Sequence, residues 1–151
     1  MTNDPEGFEP IREYDDTWSL GHAEVEGKPL ITRYREGLKA AIGHSSYKYQ
    51  IGIAIPLLEP SKEGLPTQEE GDRLYEIEDA LTESLTADDE SVFALSITTG
   101  GMRELVFYAG EWKPEYYEDK VRAVATNFPE HELQYMIQSD PEWETFSSYS
   151  K

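Results

Sequence analysis

Residues 49–57 read YQIGIAIPL and residues 67–86 read TQEEGDRLYEIEDALTESLT. In the first stretch Tyr49, Ile51, Ile53, Ile55 and Leu57 alternate with Gln50, Gly52, Ala54 and Pro56. That is the period of a strand with one buried face. In the second, Leu74, Ile77, Leu81 and Leu85 recur at helical spacing, which predicts an apolar stripe along a helix of roughly five turns. Thr67 and Glu70 stand at the N-cap and N3 positions of a capping box just after Pro66. Glu69, Glu70 and Asp72 follow where the helix dipole favours anions.

Working outward, a second cycle of the same kind appears. Phe93, Leu95 and Ile97 alternate with Ala94, Ser96 and Thr98, Gly100-Gly101 suits a two-residue turn, and Leu105 and Phe107 return. Pro114 opens a helix with a stripe of Tyr117, Val121, Val124 and Phe128, ended by Pro129. Leu133, Tyr135 and Ile137 mark a last strand. The expected elements are strands near 49–58, 91–99, 103–110 and 132–139, with helices near 67–86 and 114–127. This order is the ferredoxin-like split βαβ plan (βαββαβ), an α+β antiparallel sheet with both helices on one face. Right-handed crossovers put strands 49–58 and 103–109 in its centre.

Upstream, residues 16–36 read as a β-hairpin with a turn at Glu26-Gly27-Lys28-Pro29. It either extends a sheet edge or crosses the open face. Residues 37–48 form a connection with a short helical turn around Leu38–Ile42. Residues 1–15 are a polar lead-in broken by Pro5, Gly7 and Pro10, with Phe8, Ile11 and Tyr14 spaced to pin it, and 16–151 form one domain. After Asp140-Pro141 the tail allows one turn of helix carrying Trp143, Phe146 and Tyr149.

The chain has 151 residues, a size typical of one domain, and no Cys, which excludes disulfides and thiolate chemistry. With an acidic start, no basic, apolar leader is expected, and no stretch reads as long enough to span a bilayer. A cytoplasmic location is expected. The net charge is −18. Such a polyanion is repelled by phosphate backbones and anionic lipid, so no direct contact with nucleic acid or membrane is expected. Solubility is the simplest use of the charge, and attraction to a basic protein is the more specific one.

Motifs for catalysis are sparse. His44-Ser45-Ser46 lacks a nucleophile elbow, and His131-Glu132 lacks the second His of a zinc-protease helix. Residues 59–90 hold twelve acidic side chains, including Asp88-Asp89-Glu90, without the spacing of a calcium loop. No cofactor or metal site is expected. Two candidate binding surfaces remain. One is the acidic helix face with Glu69, Glu76 and Asp79. The other is the sheet face opposite the helices, where alternation places Gln50, Ser96, Thr98, Tyr108, Gln134 and Met136. That mixture is too apolar for free solvent and too polar for a dry core, so a cover is expected: the chain's own hairpin, a partner or second copy, or a small molecule.

Trp18, Gly27-Lys28-Pro29, Ile77-Glu78-Asp79-Ala80-Leu81 and Thr98-Thr99-Gly100-Gly101-Met102-Arg103-Glu104 occur in order, followed by Phe107-Tyr108 and Asp140-Pro141-Glu142-Trp143. In these, residues 15–150 resemble an uncharacterised bacterial family catalogued as domain of unknown function 695. The resemblance implies no catalytic residues. More loosely, plan and charge are similar to those of a small acidic inhibitor of a bacterial endoribonuclease. The expectation is a non-enzymatic protein-binding or regulatory module, monomeric or weakly dimeric, with a carboxylate-based enzyme as the alternative.

Overall fold

The computed structural model describes residue 11 and residues 14–87 and 91–150. Among them the order is β1 (Trp18–Val25), β2 (Lys28–Arg35), a 3-10 helix (Glu36–Ala41), β3 (Tyr49–Pro56), α1 (Gln68–Thr86), β4 (Ser91–Thr99), β5 (Met102–Ala109), α2 (Pro114–Ala125), β6 (Gln134–Ser139) and α3 (Glu144–Tyr149). All six strands pair antiparallel in one sheet of order β1-β2-β4-β5-β3-β6. The hairpin β1–β2 extends the sheet beyond β4, through Ile31–Tyr34 against Leu95–Thr98, and leaves the open face to other segments.

Gly100 and Gly101 take φ of +58° and +80°, the left-handed pair that a tight hairpin needs. Gly64 packs on this turn. The Gly101 amide donates to the Gly64 carbonyl at 3.0 Å, and a Cβ on Gly64 would lie 2.8 Å from the Gly101 nitrogen. The loop between β3 and α1 is thereby tied to the β4–β5 hairpin.

One core lies between the helices and the sheet. Ile51, Ile53 and Ile55 meet Leu74, Ile77 and Leu81 from α1 and Tyr117 and Val121 from α2. Each such side chain contributes about 1.5–3 kcal/mol by leaving water. A second core fills the opposite face, where Tyr34, Leu95, Val106 and Tyr108 are covered by Leu38 and Ala41 of the 3-10 helix and by Trp143 and Phe146. The cover is the chain's own, but it comes from the 36–48 connection and the C-terminal segment. Trp143 stacks on Tyr108 at 4.2 Å and 5°. Its indole N–H donates to the Tyr47 carbonyl at 2.7 Å. The Tyr108 hydroxyl donates to Asp140 Oδ2 at 2.8 Å and accepts from the Phe146 amide at 3.2 Å. Burial and the Asp140 carboxylate both push the Tyr108 phenol up, keeping its proton in place. Ile11 is buried in this core, while Phe8 lies outside the described residues.

The expected alternation of β4 fails at one point. Phe93 faces Phe107 and Leu95 faces Val106, so Ala94 is an extra, bulged residue. Beyond it the strand changes phase. Leu95 and Ile97 join the second core, and Ser96 and Thr98 turn to the helix side, against the expectation that placed them opposite. No described helix is long and apolar enough to cross a membrane.

Candidate functional site

Two recesses lie along α1. At its N-terminal half, Thr67 Oγ1 accepts from the Glu70 amide at 3.1 Å, which is half of the expected capping box. The Glu70 carboxylate turns away from the cap. It accepts from the Leu58 amide at 2.7 Å and the Glu59 amide at 3.4 Å, and lies 2.8 Å from His131 Nε2. His131 Nδ1 is 2.8 Å from Glu130 Oε2. Arg73 grips Glu130 through two hydrogen bonds of 3.1 Å, its guanidinium 4.3 Å from the Phe128 ring centre.

The loop after β3, the start of α1 and the turn before β6 are thus latched through one buried imidazole, 5% exposed. Burial pushes the Glu70 carboxyl up, but the Leu58 amide, His131 and the Glu59 amide outweigh it and hold it below its ordinary value. Arg73, then His131, hold Glu130 down to about 2. Around the latch opens an acidic groove of about 690 Å³. His131 and Glu70 are 61 positions apart, and neither the N-terminal reading of Glu70 nor the rejected His131-Glu132 motif joined the two.

The second recess, about 500 Å³, lies between the hairpin and the C-terminal half of α1. It opens because β2 pairs with β4 only at Leu95–Thr98, leaving Ser91–Phe93 unpaired on that side. Arg33, brought to the helix side by its place opposite Ser96, ion-pairs with Glu78 of α1. Its guanidinium sits 4.9 Å from the Tyr75 ring centre and 5.6 Å from that of Trp18. Arg103 is buried beside them, donating from Nε to Thr98 Oγ1 at 2.9 Å. Burial raises the Glu78 carboxyl, against the pull of Arg33 and Arg103, and burial lowers the Arg103 guanidinium, against the pull of Glu78. Trp18 and Glu78, on which the resemblance rests, line this recess, and Thr98 and Arg103, of the same set, are bonded to each other outside its lining.

The expected binding residues do not share one surface. Glu69 and Glu76 line the acidic groove and Asp79 the second cleft; all three are exposed. Gln50 is buried and accepts from Gln138 and Thr145. Ser96 and Thr98 are buried on the helix side, and Tyr108 is buried under Trp143. Of the sheet-face set only Gln134 and Met136 are exposed, Met136 lying across Gly52. Asp88, Asp89 and Glu90 lie outside the described residues. Among the described residues no three His, Cys, Asp or Glu side chains are grouped to hold a metal ion.

Fold and recesses define an acidic α+β protein with two differently charged clefts along one helix. Over residues 16–149 the chain matches the model of the Family of unknown function (DUF695), and it belongs to that family. No curated protein and no solved structure matches it.

Proposed function

We propose that the protein is a non-enzymatic binding or regulatory module whose acidic groove takes a basic segment of a partner protein. One observation carries this reading. Six carboxylates line the groove (Glu59, Glu69, Glu70, Asp72, Glu76 and Glu130) against one guanidinium, Arg73, and one imidazole, His131, both already held by those carboxylates. Leu58, 52% exposed, adds an apolar contact at the edge. Attraction of this kind raises association rates and is screened over a Debye length of roughly 8 Å.

On this reading β3–α1–β4–β5–α2–β6 is a ferredoxin-like split βαβ unit. The order β4-β5-β3-β6 and the shared helix face support it, with the hairpin added beyond β4. For the alternative, a carboxylate-based enzyme, Glu78 is one buried carboxyl raised by burial, and its ion pair with Arg33 favours an anchoring role.

The test is capture of partners from native lysate on wild-type protein and on a variant with Glu69, Asp72 and Glu76 changed to Lys, followed by association kinetics at two salt concentrations. A basic partner, bound faster at low salt and lost with the reversed charges, is expected. An acidic partner, or an affinity indifferent to both salt and charge reversal, would refute the reading.

A further inference from the structure

The cleft beside the C-terminal half of α1 shares no lining residue with the acidic groove. Its volume of about 500 Å³ falls in the roughly 300–1,000 Å³ range of small-molecule sites. Its charges are not matched one to one. Arg33 uses one of its five N–H groups on Glu78, and the others have no acceptor among the described residues. The side chain is 20% exposed, so the unused part of the fork is reachable from the cleft.

Arg103 is 8% exposed, and its buried Nη1 has no hydrogen-bond partner among the described residues. Arg103 lies outside the lining and adds its charge to the Glu78 neighbourhood from behind, so the guanidinium that the cleft itself presents beside Glu78 is that of Arg33.

The rim has the opposite character. Asp79, the chain neighbour of Glu78, is exposed and makes no ion pair among the described residues. The hydroxyls of Thr86 and Ser91 donate inward, to the Thr82 and Leu85 carbonyls, each at 2.6 Å. The Thr86 oxygen, part-buried in the lining, keeps lone pairs suited to accept from an ammonium. Trp18 and Phe93, with ring centres 4.9 Å apart, form an aromatic wall.

A simple anion entering here meets Glu78 and Asp79, and a simple cation meets Arg33 and Arg35. A dipolar molecule meets complementary charge at both ends. We propose that this cleft binds a free α-amino acid with an apolar side chain. Its carboxylate sits on the unused N–H groups of Arg33, its ammonium on Asp79, and its side chain on the Trp18–Phe93 wall. Arg33 and Asp79 both line the cleft and both adjoin Glu78, one by ion pair and one by chain. The carboxylates of Asp16 and Asp79 in the lining disfavour phosphates, which carry more negative charge and no ammonium.

The experiment is ligand-observed NMR and calorimetry with free L-phenylalanine and L-leucine. N-acetyl-L-phenylalanine, which lacks the ammonium, and L-phenylalaninamide, which lacks the carboxylate, serve as matched probes. Asp79→Asn is the diagnostic variant, since an exposed side chain without an ion pair among the described residues can be neutralised without disturbing the fold, as a melting curve would verify. At least one amino acid is expected to bind with millimolar or better affinity, and loss of either charge to weaken binding at least about tenfold. Asp79→Asn should weaken the free amino acid by a similar factor and leave the N-acetyl probe unchanged, because the cycle isolates the ammonium contact. Three results overturn the proposal: neither amino acid binds at millimolar concentration, the N-acetyl probe binds as tightly as the free amino acid, or Asp79→Asn affects both equally.

Discussion

Replacing Tyr108 with Phe removes one oxygen atom and should unlock the cover of the second core. Tyr108 is fully buried, so water cannot replace what is lost. Its hydroxyl donates to the Asp140 carboxylate at 2.8 Å, and a hydrogen bond to a charged group contributes about 1.5–3 kcal/mol. The same oxygen accepts from the Phe146 amide at 3.2 Å, and an orphaned buried amide costs about 1–3 kcal/mol. These two terms share an atom and are not additive, so the expected loss is about 2–4 kcal/mol.

The aromatic stack on Trp143 survives in the variant, which separates the polar contribution from packing. Tyr135→Phe is the internal control. It removes a single half-buried bond to the Pro114 carbonyl at 2.9 Å and should cost only about 0.5–1.5 kcal/mol. Urea denaturation of the three proteins, with m-values compared, measures both losses. If Tyr108→Phe costs no more than Tyr135→Phe, the Tyr108–Asp140 lock does not hold the C-terminal segment and the reasoning is wrong.

Leu81→Ala should cost about 2–5 kcal/mol by opening a cavity in the first core, where Leu81 is fully buried, and a neutral result in denaturant would place the stripe on the wrong face. Arg33→Ala should cost about 3–5 kcal/mol because it leaves the Glu78 carboxylate buried opposite Arg103 alone, and Glu78→Gln should cost less; equal thermal and chemical stability of Arg33→Ala and wild type would deny the ion pair its role. Glu130 has a folded-state pKa depressed from 4.5 to about 2, so its stabilising effect is present above the unfolded value and lost as pH falls from there through about 2. Glu130→Gln should therefore flatten the acid limb of a melting-temperature profile between those values, and an unchanged limb would show that the latch is not coupled to folding.

Much of the fold was legible because its elements are locally consistent. The alternation at Ile51–Ile55 and the Leu74–Leu85 stripe each state their burial without help from distant residues, and α1 ends at Thr86 as the stripe predicts. The bulge was not legible. Ala94 is apolar and small, so Phe93, Leu95 and Ile97 look like an unbroken alternation although the ladder slips between them. That slip is why Ser96 and Thr98 were expected on the wrong face.

The cover of the open face was half legible. Trp143 and Phe146 stood out as apolar residues in a polar tail, but nothing local says which face a tail returns to. The clefts were the least legible part. Arg33 and Glu78 are 45 positions apart, and their meeting depends on strand order, which hairpin chemistry near residue 26 does not disclose. Arg33 stands two residues from Ile31 and so shares its strand face, a faint sign that its stem faced inward.

The bulge also makes Ala94 the one removable residue of an otherwise rigid strand. Ala94 and Leu95 lie on the same face, and Phe107 and Val106, opposite Phe93 and Leu95, are consecutive. Deleting the codon of Ala94 would therefore leave Phe93 facing Phe107 and Leu95 facing Val106, with Ser96 and Thr98 still on the helix side and Leu95 and Ile97 still beneath the aromatic cover. Deletions are ordinarily absorbed in loops, and β4 is an interior strand flanked by β2 and β5. A deletion scan across residues 91–99 would nevertheless find its most tolerated position at Ala94.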